Sequence, residues 1–184
     1  MIKRGDILIR FLPQFQVWHW GIVVETNSYT LDDIIVMEFT DSNVIDKVTL
    51  RTFCYYRKYF WVHSFHEEYA RYGPQAFRPL NERIAMAYRL YKQNMLTYNI
   101  SKYNCEYFCR RCVFYDKSLW ISKQTEIVAT SVITFILKLA TVSIANMINR
   151  FGEMLDMERD SRPGDIRYEL TNDSRSFRLS QKKL

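Results

Sequence analysis

Five short runs of β-branched and aromatic residues fill the first third of this chain, and nothing between them is long enough to be a crossover helix. They are Ile7 to Phe11, Val17 to Val24, Ile34 to Phe39, Val44 to Leu50 and Lys58 to His63. Parallel neighbours need a connection of about a dozen residues or more, whereas antiparallel ones need only a turn. Turn-forming residues stand between the first four runs, at Pro13, Asn27-Ser28 and Asp41-Ser42-Asn43. The spacing therefore predicts an antiparallel meander. Helical signals follow it. Asn81 is placed to cap a helix whose apolar positions Ile84, Ala87, Tyr88 and Tyr91 recur at helical spacing. A second helix is expected from about Tyr103-Asn104 to about Tyr115. The fold class is then α+β, and residues 1–118 make one domain.

From Ile127 to Ile148 the composition changes. These 22 residues carry one charge, Lys138. At about 1.5 Å per residue such a helix spans a hydrocarbon core of about 30 Å. The segment 127–148 is expected to be a C-terminal hydrophobic helix that crosses or lies in a membrane, and deletion from Ile127 onward is expected to leave the first domain folded. Residues 150–184 mix acids and bases nearly evenly and read as a polar, flexible tail.

Charge narrows the partners. The 26 Lys and Arg exceed the 20 Asp and Glu, for a net charge of +6, which favours anionic surfaces. The basic residues are scattered, with no arginine-rich block and no zinc-finger spacing, so a phospholipid membrane is expected as partner and nucleic acid is not. The opening Met1-Ile2-Lys3-Arg4-Gly5-Asp6 has no apolar core of a secretory signal. The expected setting is intracellular, with the four cysteines, Cys54, Cys105, Cys109 and Cys112, as free thiols.

Cys105 follows Tyr103-Asn104 at a predicted helix start. Backbone N–H groups there lack helical acceptors and carry partial positive charge. That position favours a thiolate and offers the Cys105 backbone N–H as an oxyanion donor. Cys109 and Cys112, four and seven residues on, share its helix face and read as core. A metal is not expected, because His63 and His66 with these cysteines match no common zinc spacing. Both of those histidines lie where a strand gives way to Glu67-Glu68 and read as surface residues. His19 is different. It lies mid-strand, on one face with Val17, Gly21 and Val23, and Gly21 leaves room for a backbone or a ligand to approach. On the next strand Glu38 interrupts an apolar run, within cross-strand reach of the His19 ring. Asp41, near that strand's end, is the alternative partner.

Three segments together resemble the lecithin retinol acyltransferase family, most closely its HRAS-like suppressor branch of phospholipase/acyltransferases. Arg4-Gly5-Asp6-Ile7-Leu8-Ile9-Arg10-Phe11 is similar to the family's Gly-Asp-hydrophobic first strand. Val17-Trp18-His19-Trp20-Gly21-Ile22-Val23-Val24 resembles its His-Trp strand, and Tyr103-Asn104-Cys105-Glu106-Tyr107-Phe108 resembles its Asn-Cys-Glu-His-Phe motif. Arg83 to Tyr98 looks like the helix and Tyr-containing loop that precede that motif. Viral proteins of the H-box/NC type share the same pair of motifs. The resemblance implies a circularly permuted papain-like (NlpC-type) domain, with Cys105 as nucleophile and His19 as general base. It implies acyl transfer or phospholipase A-type hydrolysis through a thioester on Cys105, with acyl-lipid substrates and no cofactor. The chain departs from the pattern at Glu38, where the family has a second histidine, and at Tyr107, where it has a histidine after Cys-Glu. Two alternatives remain: a non-catalytic membrane-bound interaction protein of the H-box/NC type, and a peptide or amide thiol hydrolase with the same dyad.

Overall fold

A computed structural model describes residues 1–12, 17–27, 30–55, 57, 59–99, 101–123, 165–170 and 177–179. It is an α+β structure built on an antiparallel sheet. The strands are β1 (Ile7–Leu12), β2 (Val17–Thr26), β3 (Ile34–Phe39), β4 (Ile45–Thr49), β5 (Tyr59–His63), β6 (Ile166–Leu170) and β7 (Phe177–Leu179), in the spatial order β4-β3-β2-β1-β5-β6-β7. The meander β1 to β4 is the one the turn signals predict. The helices are α1 (Leu50–Cys54), α2 (His66–Tyr72), α3 (Leu80–Gln93) and α4 (Cys105–Val113), and the last two match the two expected helices. Asn81 is not the cap of α3: Pro79 holds that position, and Asn81 lies inside the helix. Two short helices, α1 and α2, carry no sequence periodicity long enough to announce them.

Strand alternation divides the interior in two. Ile7, Ile9, Phe11, Trp18, Trp20, Ile22, Met37 and Phe39 face α3 and α4, meeting Ile84, Ala87, Leu90, Phe108, Cys109 and Cys112. Leu8, Val23, Ile34, Val36 and Phe60 face the other way, onto Leu50, Phe53 and Cys54 of α1 and Tyr168 of β6. Both faces of the central strands are covered, which explains why β1 and β2 are apolar at nearly every position rather than at alternate ones.

Two expectations are corrected here. Residues 150–184 are not wholly a flexible tail, since β6 pairs with β5 and β7 with β6. Tyr168 is buried and stacks on Phe60 with ring centroids 5.3 Å apart. His63 is likewise no surface residue. Its ring packs against Trp20 and Phe65 at 4.8 and 4.4 Å, and its Nδ1 lies 2.8 Å from Asp165 Oδ2. Asp165 also accepts from the Ser64 backbone N–H at 2.9 Å and hydroxyl at 3.2 Å. A long-range strand pairing of this kind leaves little trace in local composition, so a balanced-charge segment reads as tail until its partner strand is known. Truncation at Ile127 therefore removes a sheet strand and uncovers Phe60, against the expectation of a self-sufficient domain 1–118. His66 is exposed, as expected. Among the described residues no helix is long and apolar enough to cross a membrane. The apolar run 127–148 lies outside the described residues.

Asp165→Ala leaves the His63 and Ser64 donors without their acceptor, so the full chain is expected to lose about 1–3 kcal/mol of stability in urea unfolding. A loss within about 0.5 kcal/mol, the usual range for surface positions, would show that the Asp165 contacts do not hold β6 to the sheet.

Candidate active site

α4 begins at Cys105 because Asn104 caps it. The Asn104 side-chain oxygen accepts from the Tyr107 N–H at 3.0 Å, and its Nδ2 donates to Ser122 Oγ at 2.9 Å. Ser122 in turn donates to Glu106 Oε2 at 2.8 Å, and Glu106 Oε1 accepts from Arg110 Nε at 2.9 Å. Arg110 also pairs with Glu68 of α2. Asn104, Glu106, Glu68, Arg110 and Ser122 are all buried. Each thus has a partner for the polar atoms it takes out of water, the condition under which buried charge is tolerated.

Cys105 is therefore the first residue of α4, as the sequence predicts, and its backbone N–H belongs to the turn that has no helical acceptors. Its Sγ lies 3.9 Å from the Trp18 carbonyl of β2. His19 follows Trp18. By alternation its ring points to the α1 side, where it lies 5.6 Å from the Phe53 ring, while Cys105 belongs to the α4-side core. The β2–β3 ladder ends at the pair Gly21–Glu38, so Trp18 and His19 extend past the end of β3. α4 packs on both strands, and at this open end thiol and imidazole come together.

Glu38 occupies the place the sequence assigns it. It opposes Gly21, two residues from His19 on the same face, and its Oε2 lies 2.6 Å from His19 Nε2. The carboxylate accepts and Nε2–H donates. Burial opposes a charged His19, but the Cys105 thiolate and hydrogen bond, reinforced by Glu38, outweigh it and raise the imidazole to about 9. Asp41, the alternative orienter, is exposed in the turn after β3, and the carboxylate on the His19 ring is that of Glu38. The other thiols are core groups: burial pushes Cys112 and Cys54 up to about 12 and Cys109 well above its ordinary value. Among the described residues no cluster of three or more His, Cys, Asp or Glu is arranged to hold a metal ion.

Three neighbours complete the surroundings of the cluster. Tyr98, on the loop after α3, packs on Phe39 at 5.1 Å. Burial, with the charges of Cys105 and Asp41, pushes its phenol up, so it stays a protonated donor beside the thiol. Phe53 of α1 lies against both His19 and Arg10. Arg10 is the Cα partner of His19 across β1 and β2, and its charge reaches Glu38 and Cys105. Gly21 serves a purpose other than ligand approach. A Cβ there would meet Val36 Cγ1 at 2.5 Å and Phe53 Cε2 at 2.8 Å, so its absence lets these side chains close over the strand. The site is nearly sealed: Cys105 is 3% exposed, His19 9% and Glu38 8%. A cavity of about 250 Å³ lined by Glu68, Arg110, Ser122 and Lys123 lies along the α2 side of the buried charge network, not at the thiol.

No protein-family model matches this sequence, and no curated protein matches it significantly.

Two substitutions test this geometry. Glu38→Gln removes a charge that supports the His19 proton. The alkaline limb of any Cys105-dependent activity, expected near pH 9 from His19, should move toward lower pH. Turnover should fall by about tenfold or more, since a charge-assisted hydrogen bond is worth about 1.5–3 kcal/mol. An unmoved limb would remove Glu38 from the site's electrostatics. Gly21→Ala forces the stiff Val36 side chain or the packed Phe53 ring to give way and should cost about 1–3 kcal/mol in thermal or urea unfolding. A neutral result would mean that the Phe53 contact does not fix β2.

Proposed function

We propose that this protein is a cysteine-dependent acyltransferase or phospholipase A-like hydrolase, on a circularly permuted papain-like domain, that acts on phospholipid esters at an intracellular membrane surface. One observation carries the reading: the His19 ring stands between the Cys105 thiol and the Glu38 carboxylate, with the thiol at the start of a helix. A nucleophile, a base and an orienter in that order are what thioester chemistry needs.

In the proposed reaction His19 Nδ1 takes the thiol proton and Cys105 Sγ attacks the ester carbonyl carbon. The carbonyl oxygen becomes an oxyanion, and the Cys105 N–H donates to it. The adduct collapses as the carbon–oxygen bond to the glycerol breaks, and the leaving alkoxide takes the proton from His19. The acyl group is then a thioester on Cys105. Water or an amine gives a proton to His19 as it attacks the thioester, and the departing thiolate recovers that proton. The Glu38 charge supports the imidazolium that holds this proton between transfers. No cofactor enters this chemistry. The net charge of +6 and the apolar run 127–148 support a phospholipid membrane as partner.

The near-complete burial of Cys105 favours a second reading, a non-catalytic membrane-bound interaction protein that keeps the cluster as structure. A peptide or amide thiol hydrolase would use the same residues on a different carbonyl. The deciding measurement is the intact mass of the full chain after incubation with phospholipid vesicles. An added acyl mass that is absent from Cys105→Ala supports the acyl-enzyme. A chain that never acquires it, with vesicle binding intact, supports the interaction protein.

A further inference from the structure

Arg10 is a buried cation whose position the reaction above does not explain. It is 9% exposed, and its Nε and Nη1 are buried with no hydrogen-bond partner among the described residues. The two other buried arginines, Arg78 and Arg110, and the half-buried Arg83 have internal acceptors. Arg78 donates to the carbonyls of Arg111, Cys112 and Phe114, Arg83 to those of Arg78 and Gly5, and Arg110 to Glu106 and Glu68. A guanidinium removed from water without acceptors is costly, and nothing about strand β1 requires one, since apolar neighbours Leu8 and Phe11 fill their positions well.

Its surroundings indicate what it is for. Arg10 is the cross-strand partner of His19, and its guanidinium carbon lies 5.5 Å from the Phe53 ring centroid, the same ring that packs on His19. Phe53 therefore fixes cation and imidazole side by side. The Glu38 carboxylate acts on Arg10 through its charge, but it hydrogen-bonds to His19. Arg57 adds a second positive charge close enough to act on Arg10. A buried guanidinium cross-strand from His19, with a second positive charge acting on it and nitrogens lacking acceptors, suits an anionic group rich in oxygen acceptors.

We propose that Arg10 is the anion-binding residue of this site and takes a phosphoryl oxygen of the substrate while Cys105 takes the ester carbonyl. This deepens the acyl-transfer reading and rests on it for the identity of the second group. A glycerophospholipid carries both groups within a few bonds of each other. A triacylglycerol or a simple ester lacks the phosphoryl group, so Arg10 is the residue that selects phospholipid over neutral lipid. Binding the anion also supplies acceptors to Nε and Nη1, which have none among the described residues.

The test uses the full chain as Cys105→Ala, so that no turnover intervenes. Its ligands are inorganic phosphate, a short-chain phosphatidylcholine and the matching neutral diacylglycerol, with binding read by tryptophan fluorescence and phosphorus NMR. Arg10→Gln is expected to weaken the phosphatidylcholine about tenfold or more, to leave the diacylglycerol unchanged, and to abolish any binding of inorganic phosphate. Arg10→Lys, which keeps the charge, should recover part of the affinity and guards against a folding defect in Arg10→Gln. Phosphatidylcholine binding that depends on Arg10 without measurable phosphate binding still supports the proposal and identifies the lipid headgroup as the source. Loss of phosphate binding alone, with phosphatidylcholine unaffected, overturns it in favour of a free-anion site. Equal weakening of phosphatidylcholine and diacylglycerol overturns it in favour of a structural role. Phosphate-group recognition that persists in a protein forming no thioester would separate this anion site from the acyl chemistry and refute only the latter.

Discussion

The seating of α4 on the end of β2 is the constraint from which the candidate site follows. Phe108, Cys109 and Cys112 hold the helix to the sheet through the apolar core, but apolar packing alone leaves a helix some freedom to slide or turn. The buried chain of partners Asn104–Ser122–Glu106–Arg110–Glu68 removes that freedom. Removing one member of such a network strands a charge and costs about 3–5 kcal/mol, so the first turn of α4 has one favoured position. Cys105 sits in that turn, one residue beyond Asn104.

What the network does for the thiol, strand geometry does for the imidazole. His19 points to the α1 side of the sheet, against Phe53, whereas Cys105 belongs to the α4-side core. The ladder stops at Gly21–Glu38, and from there the end of β2 is open to α4. Glu38 is the last β3 residue paired to β2, long enough to reach diagonally to the imidazole and short enough on exposure to stay desolvated. Burial by itself would keep His19 neutral. The hydrogen bonds and charges of Cys105 and Glu38 reverse the outcome.

The same burial poses a question of access. Cys105, His19 and Glu38 are almost closed off, with Phe53 and the Tyr98 loop packed around them. A sealed polar cluster strengthens each electrostatic interaction inside it. It also means that any molecule reaching the thiol must displace protein surface. A lipid aggregate supplies apolar area for such an exchange, in keeping with the proposed action at a membrane.

Much of this was legible in the sequence because it is written in local patterns. Turn residues at short spacing dictated an antiparallel meander, Asn104 before Cys105 marked a helix start, and a single carboxylate in the apolar run of β3 marked Glu38 as unusual. Those features act over a few residues, where propensity and alternation are decisive. The roles of Arg10, Phe53 and Gly21 could not be read that way. Arg10 in a strand looks like any solvent-facing basic residue until α1 covers that face, and Gly21 looks like an opening until Val36 and Phe53 occupy it. The strand β6 and the His63–Asp165 contact join residues about a hundred positions apart, and no local signal encodes such a pairing. The sequence by itself determined which segments become strands and helices and which residues are chemically able to react. Tertiary structure alone decided which of them meet, because burial, charge partners and the end of a strand ladder exist only once distant segments have packed.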